Sequence, residues 1–325
     1  MILTTRDLEW PLMKCSPVAA YQCSVTSSST PITQQPTAHR PRTWQLWERP
    51  STPPPFQLQE RDRRIIEAVF KHRFLTVAHL HALLGGSEAN LSRRCRLLWQ
   101  HGYLERPKAL RPLKILTEQL VYGLGKKGAR ELDGPALPIG RLDWSDRPGK
   151  PVGLPYVDHQ LAVGTFMVAL QVACSVTGNK LHWSGPFHQR DFRIEPPGGE
   201  PIQPDAFFIL ERADGKQAAH FLEIERSAKS EERLRQKYEG YYCYWRSGRS
   251  EQQFGFKHFR VLFVATGGAS VAVLRRSSLR LPGSPTTSCK SLLFTSLSSL
   301  TLTNSQAVLG PTFRHADGDE TVALV

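Results

Sequence analysis

The sequence has no paired cysteine motif, no long apolar segment and comparatively few acidic residues. Its six cysteines show no CxxC pairing, which favours free thiols. The longest apolar run, residues 161–174, includes Gln171 and is shorter than the roughly 20 residues needed to cross a bilayer. Arg6, Asp7 and Glu9 stand where a secretory signal needs an apolar core. These absences predict a cytoplasmic protein with no membrane partner.

Positive charge is in excess, because 42 Lys and Arg stand against 29 Asp and Glu and give a net charge of +13. An excess of this size favours a polyanionic partner, either nucleic acid or an anionic membrane surface. The 325 residues are enough for two domains, at roughly 100 to 200 residues each. A hydrophobic content of 40% is enough to fill two ordinary cores.

Composition divides the chain into four segments. Residues 1–56 are rich in Ser, Thr, Gln and Pro and are predicted to form a disordered arm, since they bury too little apolar surface to offset the entropy of ordering. Pro and Gly are frequent in residues 134–156, which we interpret as a linker. The linker separates two segments with periodic apolar residues, 57–133 and 157–325.

Residues 57–133 have the predicted element order of a winged helix-turn-helix. The run ERDRRIIEAVFKHR predicts a first helix with one apolar stripe. Thr76 is the predicted N-cap of a second, shorter helix that ends at Gly85. Ser87 begins a third helix, EANLSRRCRLLWQHG. A strand from Tyr103, a basic turn and a returning strand complete a predicted hairpin.

The third predicted helix has an apolar face and a basic face. Leu91, Cys95 and Leu98 recur at helical spacing and are expected to face the first two helices. The other face and the turn carry the residues predicted to bind double-stranded DNA: Asn90, Arg93, Arg94, Arg96, Lys108, Arg111 and Lys114. A helix fits the major groove, and a basic hairpin reaches neighbouring phosphates. A basic helix is also a common solvated face, and winged helices also dock proteins, but the clustering of charge favours DNA.

Residues 157–325 predict a mixed α/β domain with an apolar helix over 158–174 and strands at LHWSG, DAFFILE, AHFLEIER and FRVLFVAT. Asp205 opens the second of these strands, and Glu223 and Glu225 close the third. This arrangement resembles the PD-(D/E)xK nuclease pattern, in which carboxylates on adjacent strands bind a divalent metal and a lysine orients the attacking water. Here Glu225 stands at the lysine position.

The strand register decides whether these carboxylates meet. A two-residue turn at Asp214 and Gly215 would place Asp205 opposite Ile224, with the acids on opposite faces. A three- or five-residue loop centred on Asp214 would place Asp205 opposite Glu223, and only this register forms a metal site at those two residues. Acidic residues at i and i+2 are also common on the solvated face of an edge strand, so both interpretations stay open.

A lysine absent from the motif can come from the next helix, where Lys237 lies beside an apolar stripe. The candidate catalytic residues are then Asp205, Glu223, Glu225 and Lys237, with Mg²⁺ as the cofactor if the domain is catalytic. Such a lysine is more often one that extends its alkyl chain over a core-facing helix. His159 is likewise more typical of a hydrogen-bonded core or helix-end histidine than of a catalytic one.

From about Leu58 to the C-terminus, the sequence resembles the bacterial replication-relaxation family, whose members are associated with plasmids and other mobile elements. The segments that carry the resemblance are LGKKGARELDG, DHQLAVGTFMVAL, PDAFFIL with HFLEIERS, KYEGYYCYW and FRVLFVAT. The Ser-rich tail departs from the family pattern. The resemblance implies a role in the replication, relaxation or mobilisation of a mobile element.

The sequence therefore predicts an α/β (α+β) chain, a winged helix followed by a restriction-endonuclease-like domain. We expect a non-catalytic DNA-binding accessory or regulatory factor whose partners include plasmid replication or mobilisation proteins. Two alternatives stay open: a metal-dependent DNA nuclease and a winged-helix transcriptional regulator. Metal-dependent nicking of supercoiled plasmid separates the first from the binding roles, and a reporter assay separates the second from a replication factor.

Overall fold

A computed structural model of the chain confirms a mixed α/β fold with two sheets. The structure describes residues 47–113, 120–132, 152–183, 192–226, 230–266, 269–279 and 290–325. Within these residues, one small sheet belongs to the N-terminal unit and one larger sheet to the C-terminal unit.

The N-terminal unit alternates helices and short strands. Its elements are α1 (Glu60–His72), β1 (Phe74–Thr76), α2 (Val77–Leu84), α3 (Glu88–Gln100), β2 (Leu104–Glu105), a 3-10 helix (Lys108–Leu113), β3 (Val121–Leu124) and α4 (Lys126–Glu131). Within the described residues, the three strands form an antiparallel sheet in the order β1-β3-β2. The three predicted helices are confirmed, whereas β1 was not predicted.

Local chemistry explains where these helices begin and end. The Thr76 side chain accepts a hydrogen bond from the backbone amide of His79, so the predicted N-cap of α2 is confirmed. Gly85 follows α2 with a φ of 66°, in the left-handed region that glycine adopts without strain. Leu91, Cys95 and Leu98 on α3 are fully buried against the other helices, as their spacing predicted.

The end of the expected N-terminal arm is packed on the folded unit. The guanidinium of Arg49 donates to the carbonyls of Trp99 at 2.7 Å and Leu104 at 3.0 Å. The ring of Phe56 stacks on that of His101, with centroids 4.7 Å apart. The prediction of a disordered arm over 1–56 is therefore wrong for residues 47–56, whose aromatic and basic side chains find partners. Residues 1–46 lie outside the described residues.

Helix α5 (Leu154–Thr177) contacts both units. It begins inside the segment 134–156 expected to be a linker, so the predicted C-terminal boundary of the linker is wrong. Residues 133–151 lie outside the described residues. Val168 belongs to the core of the N-terminal unit, whereas Phe166 and Leu170 belong to the core under the larger sheet. By length and composition α5 is apolar enough to span a membrane, but its burial is that of a core helix.

The C-terminal unit is built on a mixed sheet with helices on both faces. Among the described residues its seven strands have the order β10-β9-β8-β7-β6-β5-β4. They are β4 (Lys180–His182), β5 (Ala206–Glu211), β6 (Gln217–Glu225), β7 (Phe259–Ala265), β8 (Leu292–Ser296), β9 (Phe313–Arg314) and β10 (Thr321–Val322). The other helices in the described part of this unit are α6 (Glu231–Arg246), α7 (Arg249–Phe254), α8 (Val271–Ser278) and two 3-10 helices (Leu297–Ser299 and Leu302–Val308). Strands β6, β7 and β8 are parallel, and the other pairs are antiparallel.

The two faces of this sheet have separate cores. Leu222 and Ile224 of β6 point toward the core that α5 covers. Phe221 points to the opposite core, together with Tyr238 and Tyr241 of α6. Side chains alternate across a strand, so Glu223 and Glu225 share the face of Phe221 and are directed at α6.

Candidate functional site

The hairpin of β5 and β6 settles the register on which the carboxylate site depends. Ala206 pairs with Leu222 and Glu211 with Gln217, so the connecting loop is five residues long and centred on Asp214. Asp205, directly before β5, donates its backbone amide to the carbonyl of Leu222 and continues this register opposite Glu223. The structure therefore has the register that brings Asp205 and Glu223 together, and not the one with a two-residue turn.

Lys237 of α6 lies between two buried carboxylates. Its Nζ is 2.7 Å from Oε2 of Glu223 and 3.0 Å from Oε1 of Glu225. The two glutamate side chains are 2% and 1% exposed, and the lysine side chain is 23% exposed. The Tyr241 hydroxyl donates to the other oxygen of Glu223 at 2.6 Å. Of the two interpretations of Lys237, the structure shows the one in which the side chain reaches the end of β6, where its ammonium is an ion-pair partner.

Asp205 bonds in a different direction from the two glutamates. Its Oδ1 is 2.8 Å from Nε2 of His159 on α5, and its Oδ2 accepts the backbone amide of Ile224 at 2.7 Å. His159 is therefore the hydrogen-bonded histidine near a helix end that the sequence favoured. Asp205 is therefore hydrogen-bonded to α5, whereas Glu223 is bonded to α6, although the two carboxylates lie opposite each other on neighbouring strands.

Charge and burial oppose each other throughout this cluster. Burial lowers the pKa of Lys237, but the charges of Glu223 and Glu225 outweigh burial and raise it, so the ammonium stays charged at neutral pH. Burial raises the pKa of Glu223, and the neighbouring ammonium opposes that rise. Burial also lowers the pKa of His159, but its bond to Asp205 raises the pKa above the ordinary value. The cluster is held by mutual compensation of buried charges.

The donor set has the chemistry of a Mg²⁺ site but not the arrangement. Carboxylate oxygens are the ligands that Mg²⁺ prefers, with near-octahedral geometry and several retained waters. Both oxygens of Glu223 and both of Asp205 already accept hydrogen bonds from the protein. Among the described residues, no group of three or more His, Cys, Asp or Glu side chains is placed to hold a metal ion. The residues as arranged therefore do not fit a divalent metal.

The second candidate site is the exposed face of α3. Asn90, Arg93 and Arg96 are exposed, on the side of the helix opposite Leu91 and Leu98. In the segment after β2, Lys108 is exposed at the start of the 3-10 helix, and Arg111 lies within that helix. Lys114 lies outside the described residues. The structure thus puts three of the predicted DNA-binding residues of α3 on one accessible surface.

Arg94 is not on that surface. Its side chain is 9% exposed and pairs through two nitrogens with the fully buried carboxylate of Asp62 on α1. It also donates to the carbonyl of Gln57 at 3.0 Å and lies over the ring of Phe56. The prediction that Arg94 faces DNA is wrong, because it fills an ion pair inside the unit.

Three residues of these sites were not anticipated. Asp62 and Tyr241 are the partners of Arg94 and Glu223 described above. Arg106 is buried, with its guanidinium carbon 3.9 Å from the centroid of the Trp99 ring. Asp62 carried a signal, since it lies three and four residues before buried isoleucines of the same helix face. Tyr241 is part of an apolar stripe, and the sequence does not show what its hydroxyl contacts.

Comparison with known proteins identifies the family. Comparison with curated proteins and with solved structures finds no match. The model of the replication-relaxation family matches residues 66–258, from α1 to the segment before β7. This match covers more than half of the 325 residues and includes both candidate sites. The chain belongs to the replication-relaxation family.

Proposed function

We propose that this protein binds duplex DNA through its N-terminal unit, acting as a winged helix. In this proposal it is an accessory or regulatory factor in the replication, relaxation or mobilisation of a plasmid or another mobile element. Family membership supports a role in replication or relaxation. The surface of α3 and the segment that follows it support the DNA contact.

The observation that carries the proposal is the division of α3 into two faces. Leu91, Cys95 and Leu98 anchor the helix in the core, which leaves Asn90, Arg93 and Arg96 side by side in solvent. An α-helix fits the major groove, where arginine bonds to guanine or phosphate and asparagine bonds to adenine. In helix-turn-helix proteins the second helix of the motif occupies that groove, and α3 has this position after α2.

Charge around α3 supports the same partner. Residues 57–133 hold fifteen Lys and Arg against eight Asp and Glu, a surplus of seven in about a quarter of the chain. Lys108 extends the basic surface beyond α3, in the place of a wing. Phosphate contacts of this kind give affinity that falls as log salt rises, with a slope of about 0.9 per phosphate neutralised.

The test is fluorescence anisotropy with labelled duplexes at several salt concentrations, on folded full-length protein. Arg93→Ala and Arg96→Ala should each weaken binding on the order of tenfold at a preferred site and narrow the preference over random DNA. Lys108→Ala should weaken both kinds of DNA equally and lower the salt slope by about 1. Arg193→Ala, an exposed arginine beside Glu195 in the C-terminal unit, is the control and should bind normally.

Two results would contradict the proposal. One is binding that is insensitive to salt between low and physiological concentrations. The other is wild-type affinity for all DNA in a folded Arg93→Ala/Arg96→Ala double variant, since α3 is then not the DNA-facing element.

A further inference from the structure

The carboxylate cluster between β6 and α6 contains its own cation. The ammonium of Lys237 makes two short ion pairs, with Glu223 and Glu225, and neither glutamate side chain is more than 2% exposed. Two charges at such depth need compensation, because an isolated ionised carboxylate in a low-dielectric interior is strongly destabilising. The protein supplies that compensation from a helix rather than from solvent.

We propose that Lys237 is the resident cation of this cluster and takes the place that a divalent metal ion has in metal-dependent nucleases. The C-terminal unit then needs no Mg²⁺ for its fold and does not load Mg²⁺ at Asp205 and Glu223. The ion pairs of Lys237 with Glu223 and Glu225 then join α6 to the sheet. The C-terminal unit is a structural scaffold and does not cleave DNA. The inference is independent of DNA binding through α3.

The surroundings of the ammonium favour this account over a lysine that serves catalysis. A catalytic lysine has to reach a water molecule or a phosphate, whereas Nζ of Lys237 lies within 3.0 Å of two carboxylates. A metal at Glu223 would meet the Lys237 ammonium on one oxygen and the Tyr241 hydroxyl on the other, and the positive charge of the ammonium would repel it. At Asp205 each oxygen already has one such partner, the His159 ring or the Ile224 amide. Mg²⁺ gives up its waters reluctantly, so it competes poorly for oxygens that are already bonded.

Divalent metal ions should not change the unfolding midpoint of the wild type, but they should raise that of a variant without the ammonium. Thermal unfolding of the wild-type chain should give one midpoint in EDTA and in millimolar Mg²⁺ or Mn²⁺. Lys237→Met keeps the length of the side chain but removes its charge, and its midpoint should fall on the order of 10 °C. In that variant Mn²⁺ should restore part of the loss, because the carboxylates then lack a cation. Lys257→Met, at an exposed lysine, is the matched control and should change neither quantity.

Terbium luminescence gives a second readout. Tyr241 donates to Glu223 at 2.6 Å, so Tb³⁺ bound to that carboxylate should be sensitised by the phenol. We expect saturable luminescence with Lys237→Met. The wild type and the Lys257→Met control should both give only background luminescence. Lys237→Arg, which keeps a cation, should resemble the wild type.

A further variant keeps the test decisive if Lys237→Met does not fold. In Glu223→Gln/Lys237→Met one buried carboxylate is removed together with the ammonium, so this variant should be more stable than Lys237→Met and should fold even where Lys237→Met does not. Mn²⁺ should not change its midpoint. Failure of this double variant to regain stability would contradict the counter-ion account. A saturable rise in the wild-type midpoint with Mg²⁺ or Mn²⁺ that Glu223→Gln abolishes would overturn the proposal. Metal-dependent nicking of supercoiled plasmid that Glu223→Gln abolishes would overturn it as well.

Discussion

Replacing Arg94 by alanine should destabilise the N-terminal unit rather than remove a DNA contact. Arg94 pairs through two nitrogens with Asp62, which is fully buried, and it also donates to the carbonyl of Gln57. Without the guanidinium, the Asp62 carboxylate keeps the hydrogen bond that it accepts from the backbone amide of Gln59, at 2.8 Å. Removing one partner of a buried ion pair costs about 3–5 kcal/mol, because the other charge stays in the interior uncompensated.

That free energy is large enough to measure in the full chain. A loss of about 3–5 kcal/mol corresponds to a fall in the unfolding midpoint of about 12–40 °C for a unit of roughly 60 to 100 residues. Differential scanning fluorimetry gives the midpoint, and anisotropy at a temperature where the variant is folded gives its DNA affinity. Arg93→Ala is the matched control one residue away, since Arg93 is exposed and its removal should leave the free energy of unfolding within about 0.5 kcal/mol of wild type.

A double variant isolates the ion pair from the loss of packing. Asp62→Asn/Arg94→Met removes both charges and keeps most of the volume, so it should be more stable than Arg94→Ala alone. The reasoning is refuted if Arg94→Ala has a wild-type midpoint and loses DNA affinity as much as Arg93→Ala does. That result would mean that the guanidinium leaves Asp62 in solution and faces DNA.

Three further predictions concern stability. Gly128→Ala should lower the unfolding midpoint, because a Cβ there would lie 2.2 Å from the backbone oxygen of Tyr103, and calorimetry measures the loss. Deleting residues 47–56 in addition to 1–46 should lower the midpoint, because the bonds of Arg49 and the ring contact of Phe56 are lost. Burial lowers the pKa of three histidines, to about 3, 4 and 3: His72, His79 and His220. Since the unfolded chain takes up these protons first, stability should fall as pH drops below 6.5, by about 1.4 kcal/mol per pH unit for each histidine until its folded pKa is reached. Urea unfolding between pH 7 and pH 5 measures this slope, and a flat profile would contradict the burial of these rings.

The helical periodicity of α3 predicted its buried apolar residues but not the buried charge among them. Leu91, Cys95 and Leu98 are buried as their spacing required, and their burial fixes which residues of α3 are exposed. Arg94 lies three residues after Leu91 and four before Leu98, so the same spacing puts it on the buried face. A single charge at such a position indicates an internal partner. The prediction that Arg94 is exposed followed from its charge, whereas its position along the helix indicates that it is buried.

For the carboxylates Asp205, Glu223 and Glu225, the sequence indicated their position on the strands but not their hydrogen-bond partners. The sequence reduced the geometry to two registers, and the five-residue loop centred on Asp214 selects the one in which Asp205 and Glu223 are opposite. Which donors approach those carboxylates depends on how α5 and α6 cross the sheet, and this is set by packing between residues distant in the chain. The bonds from His159 and Lys237 follow from that packing. Residue type and spacing along one strand therefore cannot distinguish a metal site from an internally neutralised one.

Helix α5 explains why composition was a poor guide to the organisation of the chain. Its apolar residues leave no polar face, as is typical of a helix buried on several sides. Gly164 permits a close approach to the N-terminal unit, since a Cβ there would lie 3.3 Å from the carbonyl oxygen of Phe74. One residue later, Thr165 is 2.9 Å from a ring nitrogen of His79, and at the start of α5 His159 holds Asp205. The helix that follows the Pro- and Gly-rich stretch belongs to both cores, so a change in either unit acts on a surface that the other also needs.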